Sequence, residues 1–356
     1  MKRRLFVTAI PTMIATFSAI VAAKQAIAAV GVKLGRLGIC TFSCHRAWQA
    51  ARDKSALPPF IDAPTFYDYA RSLGADGVQT SVAMLDETAS VRLGDHVERT
   101  GGYYEGDIRL PSKESELDKF EQEVKRTRAA GGSVARTCLS GSRRYETWRT
   151  IEEFNAFHAE ASKRLAWVEP ILKKYRLKLA VENHKDLTCD ELATLMRKFS
   201  SEWIGVNVDT GNNLALLEAP LEAVQTLAPF VMSVHLKDMA VQPYELGFKL
   251  SEINCGQGFL DLPRMVAALS KVNSDIHFNL EMATRDPLHI PCLTDGYFVT
   301  LPGRKSTHLE AAMQRVKDNP PKQPPPSIVG KSMAQQLAEE EANNRSSLTW
   351  MQKQFA

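Results

Sequence analysis

Cysteine is scarce and badly spaced for structural chemistry: six residues (Cys40, Cys44, Cys138, Cys189, Cys255, Cys292) in 356, none in a C-x-x-C pair. That count and spacing exclude a disulfide scaffold and argue against a cysteine zinc site. Charge of one sign is lacking too. Forty-four Lys plus Arg stand against 41 Asp plus Glu, a formal net charge of +3, so no basic field favours nucleic acid as a partner. No G-x-G-x-x-G follows the first apolar strand segment, which removes the signature of a dinucleotide-binding open sheet. What remains is globular: hydrophobic residues make up 44% and charged residues 24%, which excludes wholesale disorder. The length fits one large domain with appendages.

Both ends read as appendages. Met1-Lys2-Arg3-Arg4 is a basic start, Leu5 to Ala23 is uncharged and mostly apolar, and Ala26-Ile27-Ala28 offers a small-x-small cleavage site. This three-part layout predicts an export signal over residues 1–28. Arg3-Arg4-Leu5-Phe6-Val7 resembles a twin-arginine signal, and Lys24 before the cleavage site suits that route. The expected location is therefore the periplasm, with no membrane span left after cleavage. An uncleaved anchor is the alternative, weakened by Pro11 and several Ser and Thr. At the other end, residues 303–356 form a separate segment. Asn319-Pro320-Pro321-Lys322-Gln323-Pro324-Pro325-Pro326 predicts an extended spacer, and Met333 to Asn344 predicts a helix. That helix could pack on the domain, bridge to a second copy of the chain, or stand in solvent.

Residues 29–302 alternate short β-branched runs with helical patterns. Strands are expected at Leu34–Thr41, Gly77–Val82, Asp107–Leu110, Ser133–Leu139, Leu177–Val181, Ile204–Asp209, Val231–Leu236 and Ile276–Leu280. Helices are expected at Thr65–Leu73, Ser115–Ala130, Leu221–Leu227, Leu262–Val272 and Ile151–Tyr175, the last with apolar residues at Phe154, Phe157, Ala161, Leu165, Val168 and Leu172. Thr188 and Glu191 make a capping box for a helix ending at Phe199. Eight strands alternating with helices over roughly 270 residues predict an α/β fold, a (β/α)8 TIM barrel with a C-terminal helical extension.

Catalytic groups on such a barrel sit at the C-terminal ends of the strands. Four consecutive ends here each carry one carboxylate or imidazole: Val181-Glu182-Asn183-His184, Val208-Asp209-Thr210, Val234-His235-Leu236-Lys237 and Leu280-Glu281-Met282. Neighbouring strands would bring Glu182, Asp209, His235 and Glu281 together. Three crowded carboxylates repel unless a cation joins them, and three oxygens with one imidazole suit one divalent ion: Mn2+, Mg2+, Co2+ or Zn2+. Singly, His235 could be a hydrogen-bonded structural histidine and Asp209 could merely shape a turn. Four in register favour the metal.

With these motifs in hand, the sequence resembles the xylose isomerase-like barrel superfamily, in particular sugar isomerases and epimerases of the ketose 3-epimerase and hydroxypyruvate isomerase type. The resemblance covers roughly Val32 to Leu288 and is specific in the second half, where Asn254-Cys255-Gly256-Gln257-Gly258 matches the family's glycine turn. It implies that the four residues are metal ligands and that Glu182 and Glu281 are also the catalytic acid/base pair. A keto sugar would be held by two adjacent oxygens on the metal, and its proton transfer would pass through a cis-enediolate. His184, Asn212, Lys237 and Arg285 are the candidates for binding substrate. The sequence departs from the ketohexose pattern at Asn212 and Val241, where ketose 3-epimerases commonly carry His and Arg.

The expected activity is thus a metal-dependent sugar isomerase or epimerase. The alternative is a lyase or dehydratase on 3-keto-glycosides or inositol ketones. An abasic-site endonuclease with three zincs would need more strand-end histidines than His184 and His235, and a non-catalytic sugar-binding barrel would not need two opposed glutamates. The small net charge suggests a neutral carbohydrate, and relatives of this type are often homo-oligomers.

Overall fold

The computed structural model describes Arg36–Phe355; the export-signal reading of residues 1–28 lies outside these residues. The chain runs β1 (Leu37–Cys40), α1 (His45–Asp53), α2 (Ala63–Ser72), β2 (Gly77–Ser81), α3 (Glu87–Thr100), β3 (Tyr103–Asp107), α4 (Leu117–Ala129), β4 (Val134–Thr137), α5 (Ile151–Tyr175) and β5 (Lys178–Glu182). It continues through α6 (Cys189–Phe199), β6 (Ile204–Asp209), α7 (Pro220–Leu227), β7 (Val231–Leu236), β8 (Asp238–Tyr244), β9 (Gly247–Ile253), α8 (Leu262–Val272), β10 (Phe278–Leu280), β11 (Leu288–Ile290), α9 (Leu309–Asp318) and α10 (Met333–Phe355). Strands β1 to β7 and β10 close a parallel barrel, each beside its sequence neighbour, with β10 completing the ring between β7 and β1. This is the expected (β/α)8 barrel. Strands β8, β9 and β11 form a separate antiparallel sheet over the rim.

Local chemistry explains the elements that the pattern located well. In α5 the residues Phe154, Ala161, Leu165, Val168 and Leu172 are buried at helical spacing. Each large side chain among them contributes roughly 1.5–3 kcal/mol of apolar burial. The Thr188 hydroxyl accepts from Glu191 N while the Glu191 carboxylate accepts from Thr188 N, closing the capping box of α6. At the bottom of the barrel, Tyr103 fills the interior, donates to Asn279 Oδ1 at 2.9 Å and stacks on His277. A Cβ at Gly38 would stand 2.0 Å from the Tyr103 hydroxyl, so β1 needs glycine there.

The third strand lies earlier than expected, at Tyr103–Asp107 rather than Asp107–Leu110. The apolar alternation of Ile108 and Leu110 is real, since both are buried, but it belongs to the loop that follows. The strand itself reads Tyr-Tyr-Glu-Gly-Asp and carries carboxylates into the barrel, which hides it from a hydrophobic pattern. Helices α1 and α3 are also additional to the expected set. Helix α1 buries only Ala47, Trp48 and Ala50, too thin a stripe to stand out.

The C-terminal helix packs on the barrel and extends to Phe355, because Leu348, Met351 and Phe355 continue the buried face. Buried Glu340 takes the place of a cap that α1 lacks: its carboxylate accepts from Arg46 N at 2.7 Å and Ala47 N at 3.0 Å. Asn344 donates to Ser43 O at 2.8 Å, and Ser347 Oγ accepts from Cys255 N at 3.2 Å. The proline spacer lies against the hairpin side, with Lys322 reaching Gly258 O at 3.3 Å. Among the described residues no helix is long and apolar enough to cross a membrane.

Burial pushes the Glu340 carboxyl up to about 7, against the two backbone donors that favour its anion. Folding therefore favours the protonated form. That contribution is complete below the ordinary carboxyl value and fades as pH rises through about 7. Glu340→Gln, neutral throughout, is expected to flatten the decline of Tm between about pH 5 and pH 8. Parallel melting profiles for the two proteins would contradict this.

A buried carboxylate and imidazole cluster at the barrel mouth

Glu182 ends β5, Asp209 ends β6, His235 lies near the end of β7 and Glu281 follows β10. Asp209 pairs directly with His235 across β6 and β7. A register shift in this ladder, where Val206 pairs with Val231 but Asn207 with Ser233, brings His235 opposite Asp209. One donor atom from each of the four residues lies within 4.8 Å of all the others, and all four residues are buried. His235 Nδ1 stands 3.1 Å from Glu281 Oε2, 3.7 Å from Glu182 Oε2 and 3.9 Å from Asp209 Oδ2.

Each member is held from behind. Asp209 splits its carboxylate: Oδ1 accepts from Gly211 N and Asn212 N, shaping the turn, while Oδ2 is left toward the cluster. The turn-shaping role of Asp209 therefore leaves one oxygen free to face the cluster. Asn183 bridges the ends of β5 and β6, donating to Asp209 O at 2.9 Å and accepting from Asp209 N at 2.7 Å. Thr210 bridges to β7 through Lys237 O and Lys237 N. Ser43 does the same beside Glu281, through Leu280 O at 2.7 Å and Met282 N at 2.8 Å.

The imidazole orientation follows from a chain of buried polar groups. Gln79 Nε2 donates to Glu105 Oε2 at 2.9 Å, which leaves Gln79 Oε1 to accept from His235 Nε2 at 2.6 Å. Glu105 is itself held by Ser233, His277 and Asn279. With Nε2 held by Gln79, Nδ1 faces the carboxylates; burial disfavours the imidazolium, but Glu281 and Glu182 outweigh it and hold the ring's pKa well above its usual value, so Nδ1 carries a proton that a metal ion bound there would displace.

Cations surround the cluster. Arg136 on β4 donates its Nε to Glu182 Oε2 at 2.6 Å and pairs with Asp107 at 3.0 Å. Asn212 donates to Glu182 Oε1 at 2.8 Å. Lys237 Nζ lies 2.8 Å from both Asp209 Oδ2 and Glu281 Oε2, an ion-pair contact off the hydrogen-bonding direction. Burial opposes ionisation of Glu182, but Arg136 and His235 outweigh it and hold the carboxyl well below the usual range. Lys237 and His235 do the same for Glu281. Asp209 goes the other way: burial, with the Glu281 and Glu182 charges, pushes it up to about 7 despite Lys237.

Asp209 Oδ2, His235 Nδ1 and Glu281 Oε2 are buried without a hydrogen-bond partner among the described residues. Unpaired buried polar atoms are costly, and these three converge. Three hard oxygens and one nitrogen at this separation fit a single divalent ion.

Glu182, His235 and Glu281 line one wall of a cavity of about 590 Å3 at the C-terminal face of the barrel, with Asp209 just behind them. Of the expected substrate-binding residues, His184, Lys237 and Arg285 line it. Burial lowers His184 to about 3, so its ring is neutral. Arg285 is paired with Glu252 at 3.0 Å and lies 5.4 Å from the centre of the Phe42 ring. Asn212 is placed behind Glu182, bracing it, rather than along the cavity wall. Arg136, Lys185 and Gln79 also line the cavity, and sequence reasoning had not singled them out. A charged residue inside the short apolar run Val134–Thr137 was the available signal for Arg136; Gln79 and Lys185 left only their adjacency to a strand centre and to His184.

The ligand set predicts one divalent ion per chain after chelator treatment and titration with Mn2+, Co2+ or Mg2+. Asp209→Ala is expected to abolish the saturable site. Gln79→Leu should weaken it about 10- to 100-fold by freeing the imidazole. Unchanged affinity in both variants would refute the assignment.

The sequence matches the family model of the xylose isomerase-like TIM barrel over residues 67–297. It is 31% identical over 104 residues to the 3-oxo-isoapionate decarboxylase of Pectobacterium atrosepticum, covering 29% of this chain and 38% of that protein. It is 26% identical over 190 residues to the uncharacterized protein YihM of Escherichia coli, covering 53% of each. The chain thus spans about half or less of the length of these curated relatives. The crystal structure of a D-psicose 3-epimerase in the presence of D-fructose superimposes with a TM-score of 0.56, covering 90% of this chain and 99% of that one. At 11% identity that likeness is one of fold. The matched span is more than half of the chain and the parallel barrel closes as that match requires: the chain belongs to the xylose isomerase-like TIM-barrel family.

Proposed function

We propose that this sugar-modifying barrel is a divalent-metal-dependent isomerase or epimerase acting on a keto sugar, with Glu182 and Glu281 as the acid/base pair. The observation that carries this reading is the placement of two buried glutamates at the ends of β5 and β10, with β6 and β7 between them. They reach one cluster from strands separated by two others, with an oxygen of each within 4.8 Å of the other. One can take a proton from the carbon beside a carbonyl and the other can return it to the opposite face. A divalent ion held by Glu182, Asp209, His235 and Glu281 would supply Lewis acidity to adjacent substrate oxygens.

The surrounding residues suit that task. Arg136 keeps Glu182 ionised and Lys237 keeps Glu281 ionised, so either carboxylate can begin as the base. The Asn183 and Ser43 bridges limit the drift of both glutamate backbones, and proton transfer demands positions fixed within a fraction of an ångström. With residues 1–28 read as an export signal, the reaction takes place outside the cytoplasm.

A second reading uses the same pair for lyase chemistry: either proton abstraction beside the carbonyl followed by loss of a leaving group from the next carbon, or loss of carbon dioxide from a β-keto carboxylate followed by protonation of the enolate that remains. Similarity to a decarboxylase over part of the chain favours keeping it. Product analysis separates the two: isomers conserve mass, whereas a lyase releases a fragment.

The test is deuterium uptake from D2O into a panel of ketoses and 3-keto-glycosides, followed by NMR with Mn2+ or Co2+ present and metal content measured in parallel. Glu281→Gln is expected to lower the exchange rate by about 10^2- to 10^4-fold. Exchange at the parental rate in a metal-loaded variant would overturn the assignment.

A further inference from the structure

Lys185 is 5% exposed, lines the cavity, and has no carboxylate partner among the described residues. Among the described residues its ammonium donates only to Asn212 Oδ1, an amide oxygen that Lys237 Nζ also approaches at 3.2 Å. Two ammonium groups thus converge on one neutral acceptor. Burying such a charge without a counter-ion is expensive, and a like-charged neighbour makes it worse. The fold does not need this ammonium to place the segment. Its backbone is fixed independently, by Arg144 N donating to Lys185 O at 2.8 Å and by the bridge between Arg143 and Lys185.

The other cavity cations differ. Arg136 is neutralised by Asp107 and Glu182, Lys237 by Asp209 and Glu281, and Arg285 by Glu252. Arg164 has its guanidinium on the carbonyls of Leu110 and Pro111, and Arg109 is exposed. The wall therefore carries these six cations against Asp107, Glu182 and Glu281. Asp209, Glu252 and Asp186, whose carboxylate accepts from Ser140 of the wall, stand just behind it and even the count, but none of them pairs with Lys185, and a divalent ion would add positive charge. The unpaired ammonium is a local feature that a net charge of +3 for the chain does not reveal.

We infer that the substrate is an anionic keto sugar whose carboxylate or phosphate pairs with Lys185 on the β5 side of the cavity, beside His184. This rests on the keto-sugar reading above. The anion completes the buried ion pair that the protein leaves unmade, while the keto end reaches the four-residue cluster. Binding then selects a charged sugar over its neutral counterpart by the lost pairing of Lys185.

Three ketoses that differ at one carbon test this: D-fructose, D-fructuronate and D-fructose 6-phosphate. Isothermal titration of the full chain with Mn2+ present is expected to give at least one charged ketose about tenfold or more tighter than D-fructose. The tighter of the two identifies carboxylate or phosphate as the matching group. Lys185→Met should shrink the charged-to-neutral ratio below about threefold, with a Tm no lower than the parent, since it removes an uncompensated buried charge. Equal affinity for all three sugars, no binding by any, or a ratio preserved in Lys185→Met would overturn the inference. A fall in Tm with the ratio intact would assign Lys185 a structural role instead. Deuterium exchange keeps the two proposals separable. A charged ketose that binds but never exchanges removes the isomerase reading and leaves the anion site. Full exchange of the neutral ketose without charged preference does the reverse.

Discussion

Three carboxylates and an imidazole share one buried volume at the mouth of the barrel, and their mutual repulsion is the constraint around which the rest is arranged. Like charges this close raise one another's proton affinity, as the elevated Asp209 carboxyl records. Arg136, Lys237 and His235 oppose that repulsion without abolishing it, and hold Glu182 and Glu281 ionised. The result is a set of donors that remains electrostatically unfinished, three of them with no hydrogen-bond partner among the described residues. Such a set costs stability and is retained where chemistry needs it.

Holding repelling groups in place demands backbone rigidity beyond the strand ends. The device is the same on three flanks of the cluster. Asn183, Thr210 and Ser43 each use a side chain to imitate the next rung of the ladder, accepting from one peptide N–H and donating to one carbonyl. Each sits within a few residues of a cluster residue in sequence or in space. Below them, Gln79 and Glu105 convert the barrel interior from an apolar plug into a polar column that fixes the orientation of the His235 ring. The glycine turn closes the rim: Gly256 N, Gly258 N and Leu260 N all donate to Asp238, next to Lys237. A Cβ at Gly258 would meet Asp238 Oδ1 at 2.1 Å.

The C-terminal helix belongs to this scheme. Asn344 holds Ser43 O, and Ser43 Oγ in turn holds the peptide groups on either side of Glu281. Ser347 accepts from Cys255 N in the glycine turn. One helix therefore supports both flanks of the mouth, although it joins the barrel only through a proline-rich spacer. Its buried face mixes Glu340, Asn344 and Ser347 with Leu348, Met351 and Phe355. Polar groups buried with partners specify one docking position, where apolar ones alone would tolerate several.

The sequence alone determined the barrel and the identity of the cluster, because both follow from short-range periodicity. A strand that ends in one polar residue announces which side chain reaches the mouth, and consecutive strands must be neighbours. Glu182, Asp209, His235 and Glu281 were legible for that reason, as were α5, α6, β6, α7, β7 and α8, whereas the β8–β9 hairpin between β7 and α8 was not. Strand β3 was displaced in the reading because its inward carboxylates break the apolar pattern. Arg136, Gln79 and Lys185 were invisible because their roles depend on partners far along the chain, such as Glu182 for Arg136 and His235 for Gln79. Asn212 looked like a substrate contact but was turned behind Glu182 by the Asp209 loop. Only the closed tertiary structure decided which charges are paired and which, like that of Lys185, are left for a ligand, since Coulomb balance depends on separation in space rather than order in sequence.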